Sequence, residues 1–331
     1  RFLQTTEKRL NMRQQENGIQ IAWVGAALSF ALFAFFMTLV PDVTDGVIFV
    51  ANSPWVPALG VDFAFLVDGL SLLFALIISG IGTLIFTYSA GYFKGFPLAG
   101  RVLSILLLFM VSMLGLVLAE NVITLFVFWE LTTITSYLLI GTNHENTDAR
   151  RYAMQALLVT VAGGLAFLAG LVLLGAAAGT YSLSGIVDQD LTSHSLYLPI
   201  FSLIFIGCIT KSALFPFHFW LPNAMAAPTP ISAFLHSATM VKAGLYVLAR
   251  LHPSLSGTDI WYGSLVILGT ITIVWSSLQA LKQTDMKLML AYTTVMALGT
   301  IGLFLAVGSP AAVMAAMVFL VVHALYKAAL F

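Results

Sequence analysis

The sequence has 331 residues, of which 60% are hydrophobic and only 8% charged, with a mean hydropathy of +0.99. A soluble domain carries about 25% charged residues, so this composition excludes a water-soluble globular protein. Fourteen basic side chains balance fourteen acidic ones, which excludes a net field aimed at nucleic acid or at an acidic substrate. The single cysteine, Cys208, lies in an apolar run and excludes both an intrachain disulfide and any multi-cysteine metal or iron–sulfur site.

In such a chain, length is counted in bilayer crossings of about 20 apolar residues each. The first 18 residues are polar, and no signal peptide is recognisable. Apolar stretches then follow at about 19–40, 66–90, 102–119, 121–141, 152–178, 197–221, 230–250, 261–280, 286–307 and 311 to the end. Lipid offers the backbone no hydrogen bonds, and the stretches lack the alternation of a barrel strand, so each is expected to be a helix. The fold class is therefore all-α, a polytopic transmembrane helix bundle with about ten helices. The chain begins at Arg1 without a methionine and stops at Phe331 inside an apolar run, so it is expected to be a fragment.

If each stretch crosses once, one set of loops holds Arg1, Lys8, Arg9, Arg13, Lys94, Arg101, Arg150, Arg151, Lys282 and Lys287. The positive-inside rule makes that face cytoplasmic, N-terminus included. The opposite loops carry Asp42, Asp45, Asp62, Asp188, Asp190 and Asp259 and one basic residue, Arg250, which snorkelling at a helix end explains. Two of these loops, 41–65 and 179–196, are long enough for short extramembrane elements.

Lys211, Lys242 and Lys327 belong to no loop and lie inside apolar stretches, as does Glu130. Together these four groups cost on the order of 10 kcal/mol unless they face partners or water, so they are expected to point into the bundle. Glu130 shares a helical face with Thr133 and Tyr137, flanked by Thr132 and Ser136. It reads as a proton-handling group, with a packing salt bridge as the alternative. Lys211 opens TKSALFPFHFWLP, where Pro216 removes a backbone donor, so the helix is expected to break just after the lysine. Discontinuous helices at mid-membrane mark ion pathways. His218 has only this break nearby. In ISAFLHSATMVKAGLYVLAR, a regular helix would place Ser232, His236, Thr239, Lys242 and Tyr246 within an arc of about 120°. In HALYKAALF, His323 and Lys327 stand at i and i+4 on one face.

Burial disfavours each charged form and a nearby opposite charge restores it, so these groups make sense as stations of a proton relay. No phosphate-binding GxxxxGK[ST] loop, dinucleotide GxGxxG or zinc cluster is present, and no cofactor is expected. Gly163 and Gly164 read as close-packing positions within a helix.

The stretches FLVDGLSLLF (65–74), FVFWELTTITSYLLIG (126–141), TKSALFPFHFWLPNAMAAPTPISAFLHSATMVKAGLYVLAR (210–250) and HALYKAALF (323–331) resemble the antiporter-like family. That family is shared by Mrp-type multi-subunit Na+/H+ antiporters and the proton-pumping membrane arms of respiratory complex I and membrane-bound hydrogenases. The resemblance implies that Glu130 and Lys211 match the family's coupled pair, His236 and Lys242 its central relay, and His323 and Lys327 the start of a second half-channel. His218, Tyr137 and Thr239 are secondary relay candidates. The resemblance further implies two inverted five-helix repeats with discontinuous helices. Residues 1–100 would then form N-terminal helices and an external loop, 101–251 the first repeat, and 252–331 the truncated start of the second.

Within the family, SATMVKAGLYVLAR looks most like the large A-type subunits of Mrp antiporters. The implied function is exchange of cytoplasmic Na+ for external H+ in a multi-pass cell (inner) membrane complex. The implied partners are the other subunits, H+, Na+ and lipid, with no nucleic acid and no sodium-binding residues assigned. A proton-pumping subunit of complex I or of a membrane-bound hydrogenase is the alternative.

Overall fold

The computed structural model describes residues 2–59 and 61–331, with side-chain surroundings from residue 18 onward except at 59. Arg1 and the side chains of Lys8, Arg9 and Arg13, which help to orient the chain, lie outside the described residues. The long helices are α1 (Phe2–Thr38), α2 (Gly69–Tyr92), α3 (Ala99–Leu118), α4 (Val122–Ile140), α5 (Thr147–Ala178), α6 (Tyr197–Lys211), α7 (Thr229–Arg250, irregular), α8 (Asp259–Leu281), α9 (Met286–Val307) and α10 (Pro310–Leu330). Among the described residues nine are long and apolar enough to cross a membrane, and α6 is a shorter apolar helix.

Local chemistry sets the helix ends. Asp68 caps α2 in a reciprocal box with Ser71, and the side chains of Asn121, Asn146, Thr258, Asp285 and Ser309 cap α4, α5, α8, α9 and α10. Gly179 and Gly308 end α5 and α9 at φ 71°, a left-handed conformation that glycine adopts without penalty.

The 41–65 loop contains an antiparallel hairpin, β1 (Phe49–Val56) and β2 (Val61–Val67), with Phe49 opposite Val67. It adds a small sheet to the expected all-α bundle. The 179–196 loop holds the short helix Leu183–Val187. These elements are stitched to the α3–α4 junction. Glu120 N donates to Ala64 O at 2.9 Å, and Val122 N donates to Tyr181 O at 2.9 Å. The buried Glu120 carboxylate accepts from Ser182 Oγ at 2.6 Å, Ser184 Oγ at 2.5 Å and Ser184 N at 3.1 Å.

Two irregularities interrupt the bundle. The stretch 197–221 is not one crossing, because α6 stops at Lys211 and Ala213 turns to φ 50°. A non-glycine residue in that region costs about 1–2 kcal/mol, and two side-chain bonds hold the break. Phe215 N donates to Thr272 Oγ1 on α8 at 3.0 Å, and Trp220 Nε1 donates to Thr210 O at 3.0 Å. The second break is inside α7, where an α-turn (Thr229–Ala233) passes into a π-turn (Phe234–Ala238) and a 3-10 turn (Met240–Lys242) before helix resumes at Ala243. Thr239, at φ −128° and ψ −101°, separates the two turns.

The polar, broken segment sits at the centre. Every residue from Pro230 to Leu248 is buried. The outer helices instead present large apolar side chains, such as Trp23 and Phe30 of α1, Val274 of α8 and Met314 of α10, which suits contact with lipid.

α6 and α7 meet through Gly244, where a methyl group would lie 2.2 Å from Cys208 O and 2.5 Å from Ser212 Oγ. Gly244→Val is therefore expected to lower stability by about 1–3 kcal/mol through overpacking. Thermal unfolding in detergent checks it, with Leu281→Ala, at an 85% exposed position, as a control that leaves the midpoint unchanged.

Candidate functional site

Lys211, the last residue of α6, is wholly buried. Its Nζ donates to Trp129 O at 2.9 Å and to Thr133 Oγ1 at 2.7 Å, and it lies 5.0 Å from the Trp129 ring centroid. The direct pair with Glu130 is not formed. The two are within electrostatic range, yet the ion pair found among the described residues is elsewhere, between Arg250 and Asp68. The cause is helical phase. The Trp129 carbonyl and the Thr133 hydroxyl reach Lys211, whereas the Glu130 side chain, rotated by about 100° from that of Trp129, carries its carboxylate against Gly164 of α5.

The two glycines of α5 make this arrangement possible. A methyl group at Gly163 would lie 1.8 Å from Thr210 Oγ1, and one at Gly164 would lie 2.0 Å from Glu130 Oε1. Glu130 Oε1 and Trp129 Nε1 are buried without a protein hydrogen-bond partner.

At the centre, the single polar arc expected along α7 does not exist, because the π-turn and 3-10 turn destroy the uniform 100° step that it requires. Ser232 Oγ bonds to Ala227 O at 3.3 Å and Thr239 Oγ1 to Phe234 O at 2.7 Å, so both hydroxyls serve the local backbone. Tyr246 points to α3, where its hydroxyl donates to Val117 O at 2.6 Å. His236, inside the π-turn, is fully buried, with both ring nitrogens lacking a protein partner, and its ring lies 6.4 Å from that of Trp220.

Lys242 is fully buried and donates to Leu320 O of α10 at 3.1 Å. His323 is also fully buried and unbonded at both nitrogens, and it lies within electrostatic range of Lys242 and Lys327. Lys327 Nζ donates to Leu290 O at 2.8 Å and to Thr293 Oγ1 at 2.5 Å. Lys211 and Lys327 thus share one device, a clamp made of a helix carbonyl and the threonine hydroxyl about one turn later. The fold brings Lys242, His323 and Lys327 together. It does not bring in His218, which is half-buried at the first break beside Phe215 and Trp275. Tyr137 is half-buried on α4, eight residues before the Glu145 loop.

Two features have no counterpart in the sequence pattern. Lys287 is not a free loop residue. It stands in the first turn of α9, and its Nζ donates to Met225 O at 3.0 Å and Ala227 O at 2.8 Å. From there it acts electrostatically on His236 and lines a cavity of about 700 Å³ with Phe96, Thr142, His144, Glu145 and Ala227. Its position between charged loops gives it the look of a topology marker.

The second feature is Arg250, which does not snorkel. Its Nη2 donates to Asp68 Oδ1 at 2.9 Å and its Nη1 to Asp68 Oδ2, while Nε and Nη2 donate to Tyr246 Oη at 3.2 and 3.0 Å. Burial by itself would raise the Asp68 carboxyl, but the guanidinium and Ser71 hold it below the usual carboxylate range. Asp68 stands in the FLVDGLSLLF stretch, but no local signal pairs it with a residue 182 positions away. Among the described residues no group of three or more His, Cys, Asp or Glu side chains is placed to hold a metal.

Gly164→Ala is expected to push the Glu130 carboxyl off its site. Infrared difference spectra check this: the carboxyl band that Glu130→Gln removes should shift in Gly164→Ala and stay in place in Gly91→Ala, where an added methyl group meets nothing within 4 Å.

The same buried groups and helix breaks belong to a chain with many relatives. The family described as "NADH:quinone oxidoreductase/Mrp antiporter, TM" matches residues 119–331, and "NADH-Ubiquinone oxidoreductase (complex I), chain 5 N-terminus" matches 55–101. The A-type subunit of the Na+/H+ antiporter of Alkalihalophilus pseudofirmus is 44% identical over 330 residues, covering 95% of this chain and 41% of that protein. The A/B-type subunit of a probable K+/H+ antiporter of Rhizobium meliloti is 44% identical over 313 residues, covering 94% of this chain and 31% of that protein.

A chain in the structure of the Mrp complex from Dietzia sp. DQ12-45-1b superposes with a TM-score of 0.85 at 37% identity, covering 96% of this chain and 36% of that one. A chain of an archaeal membrane-bound sulfane sulfur reductase shares the fold, with a TM-score of 0.81 at 24% identity over 97% of this chain and 68% of that one. The chain therefore spans only about two fifths of the Alkalihalophilus relative, and less of the Rhizobium and Dietzia ones. Its membrane-crossing helices and the match over residues 119–331 make it a multi-pass membrane protein that belongs to the NADH:quinone oxidoreductase/Mrp antiporter transmembrane family.

Proposed function

We propose that this chain is the relay-bearing part of the large A-type component of a multi-subunit monovalent cation/proton antiporter, not an enzyme, and that it exchanges cytoplasmic Na+ for external H+. The observation that carries this reading is the file of titratable groups set at the two helix breaks, Glu130 half-buried and the other five buried. Glu130 and Lys211 stand at the first, His236 and Lys242 at the second, and His323 and Lys327 lie beyond it on α10. The two histidines are unbonded at all four ring nitrogens, and each can accept a proton at one nitrogen and donate from the other; His323 lies within electrostatic range of Lys242 and Lys327.

The face bearing Lys94, Arg101, Arg150 and Arg151 is taken as cytoplasmic. The cavity at Lys287 is then the inner mouth. In this scheme 1–100 is the N-terminal unit, 101–251 the first of two inverted repeats, and 252–331 the beginning of the second. Other subunits and lipid complete the surroundings. His218 and Tyr137 play secondary parts, and Thr239 acts through the shape of the π-turn.

The family also contains redox-driven members, so the assay must separate the two modes. Relatives of equal identity, 44%, are named for Na+ and for K+, so sodium is run against potassium. In everted vesicles holding the assembled complex, added Na+ is expected to collapse a preformed proton gradient. Lys211→Ala should slow that exchange by about tenfold or more, equivalent to ~1.4 kcal/mol in the barrier, at wild-type levels of assembled complex. Undiminished exchange in Lys211→Ala would refute the relay. Proton movement only on redox turnover, indifferent to both cations, would transfer the chain to a pumping complex.

A further inference from the structure

From Lys242 a second line of polar groups leads away from the relay, toward the face that carries the hairpin. One turn on, Tyr246 donates to Val117 O at 2.6 Å and packs edge-on against Phe74 with ring centroids 5.0 Å apart. A further turn on, Arg250 bonds to both Tyr246 and Asp68. Asp68 has 24% of its side chain exposed, against 10% for Arg250, so the line begins at a buried lysine and ends at water. A tyrosine hydroxyl and a carboxylate can each pass a proton on. The guanidinium cannot, because it is never deprotonated in proteins and offers no acceptor.

A fixed cation at a constriction also repels hydronium and metal cations, as in pores that exclude both. Stability alone does not account for the pair, since a buried ion pair contributes little over well-packed apolar residues. We propose that Arg250, held in place by Asp68 and Tyr246, is a fixed-charge seal that isolates the Lys242–His323 portion of the relay from water at the hairpin-bearing face.

Arg250 and Tyr246 tie together the ends of α2, α3 and α7. Without the seal, water from the hairpin-bearing face could enter the space that the guanidinium fills and reach Tyr246, and protons would run down their gradient without any cation moving the other way. Arg250 and Asp68 are positioning residues in this scheme, and the inference rests on the relay proposed above.

The test uses the full-length protein in its assembled complex, in vesicles free of Na+ and K+, and reads the passive decay of an imposed proton gradient. Asp68→Asn breaks the ion pair but keeps the cation, and its decay should stay within about twofold of wild type. Asp68→Asn combined with Arg250→Gln removes the cation without leaving an unpaired buried charge, and its decay should be about tenfold faster. Adding Lys242→Ala to that pair should abolish the extra leak.

Equal leak in the first two variants, or an extra leak that persists without Lys242, would overturn the seal. If either variant fails to assemble, Tyr246→Phe is a second cation-retaining arm, expected tight, and Arg250→Gln alone a second cation-removing arm, expected leaky. Failure of the seal appears only in this sodium-free leak. Failure of the relay appears separately, as undiminished sodium-driven exchange in Lys211→Ala.

Discussion

The structure depends on how an ammonium group is kept inside an apolar bundle. Each of the three buried lysines is met by a helix carbonyl, at Trp129, Leu320 and Leu290, and two of the three also by a threonine hydroxyl. A helical carbonyl can accept a second hydrogen bond while keeping its place in the helix, so the host helices α4, α9 and α10 stay continuous. The helices that deliver Lys211 and Lys242 do not. α6 ends at its lysine, and α7 reaches its own through a 3-10 turn. Two of the three charges are thus brought to regular acceptor helices by broken ones, and the third, Lys327, comes from the continuous α10.

The breaks in turn require close approach elsewhere. Gly163, Gly164 and Gly244 remove the side-chain bulk that would otherwise hold α5 from α6, α5 from α4, and α7 from α6. The result is a polar interior whose outer helices are apolar toward their surroundings. At the opposite extreme, the loops at one face are stitched by backbone bonds and by the Glu120 carboxylate, while the other face opens into the cavity beside Lys287.

Much of this is legible in the sequence, because lipid penalises polarity so heavily that each exception stands out. The crossing segments, the break after Lys211, the two loops with their own elements, and the identity of the buried lysines follow from hydropathy and one proline. What is not legible depends on rotation and on long-range pairing. An arc along α7 needs a constant step per residue, and no residue type in FLHSATMVK announces a π-turn. Glu130 and Lys211 are natural partners by charge, but a one-residue difference in phase puts the carboxylate against Gly164 instead. Arg250 at a helix end looks like an interfacial cation, and its partner at the start of α2 is too distant in the chain for any local pattern to reveal. Lys287 carries the signature of a loop charge although its amine is tied to the backbone that precedes α7.

The lysine clamps have one more consequence. Their partners are neutral, and among the described residues the run from Lys242 through His323 to Lys327 contains no acidic side chain bonded to any of the three. A proton taken up anywhere along it changes the local charge by a full unit that nothing nearby cancels. Under the proposed relay, the three sites would act on one another through charge alone. Loading one would raise the work of loading its neighbour, and a charge entering at one end would tend to expel one from the other.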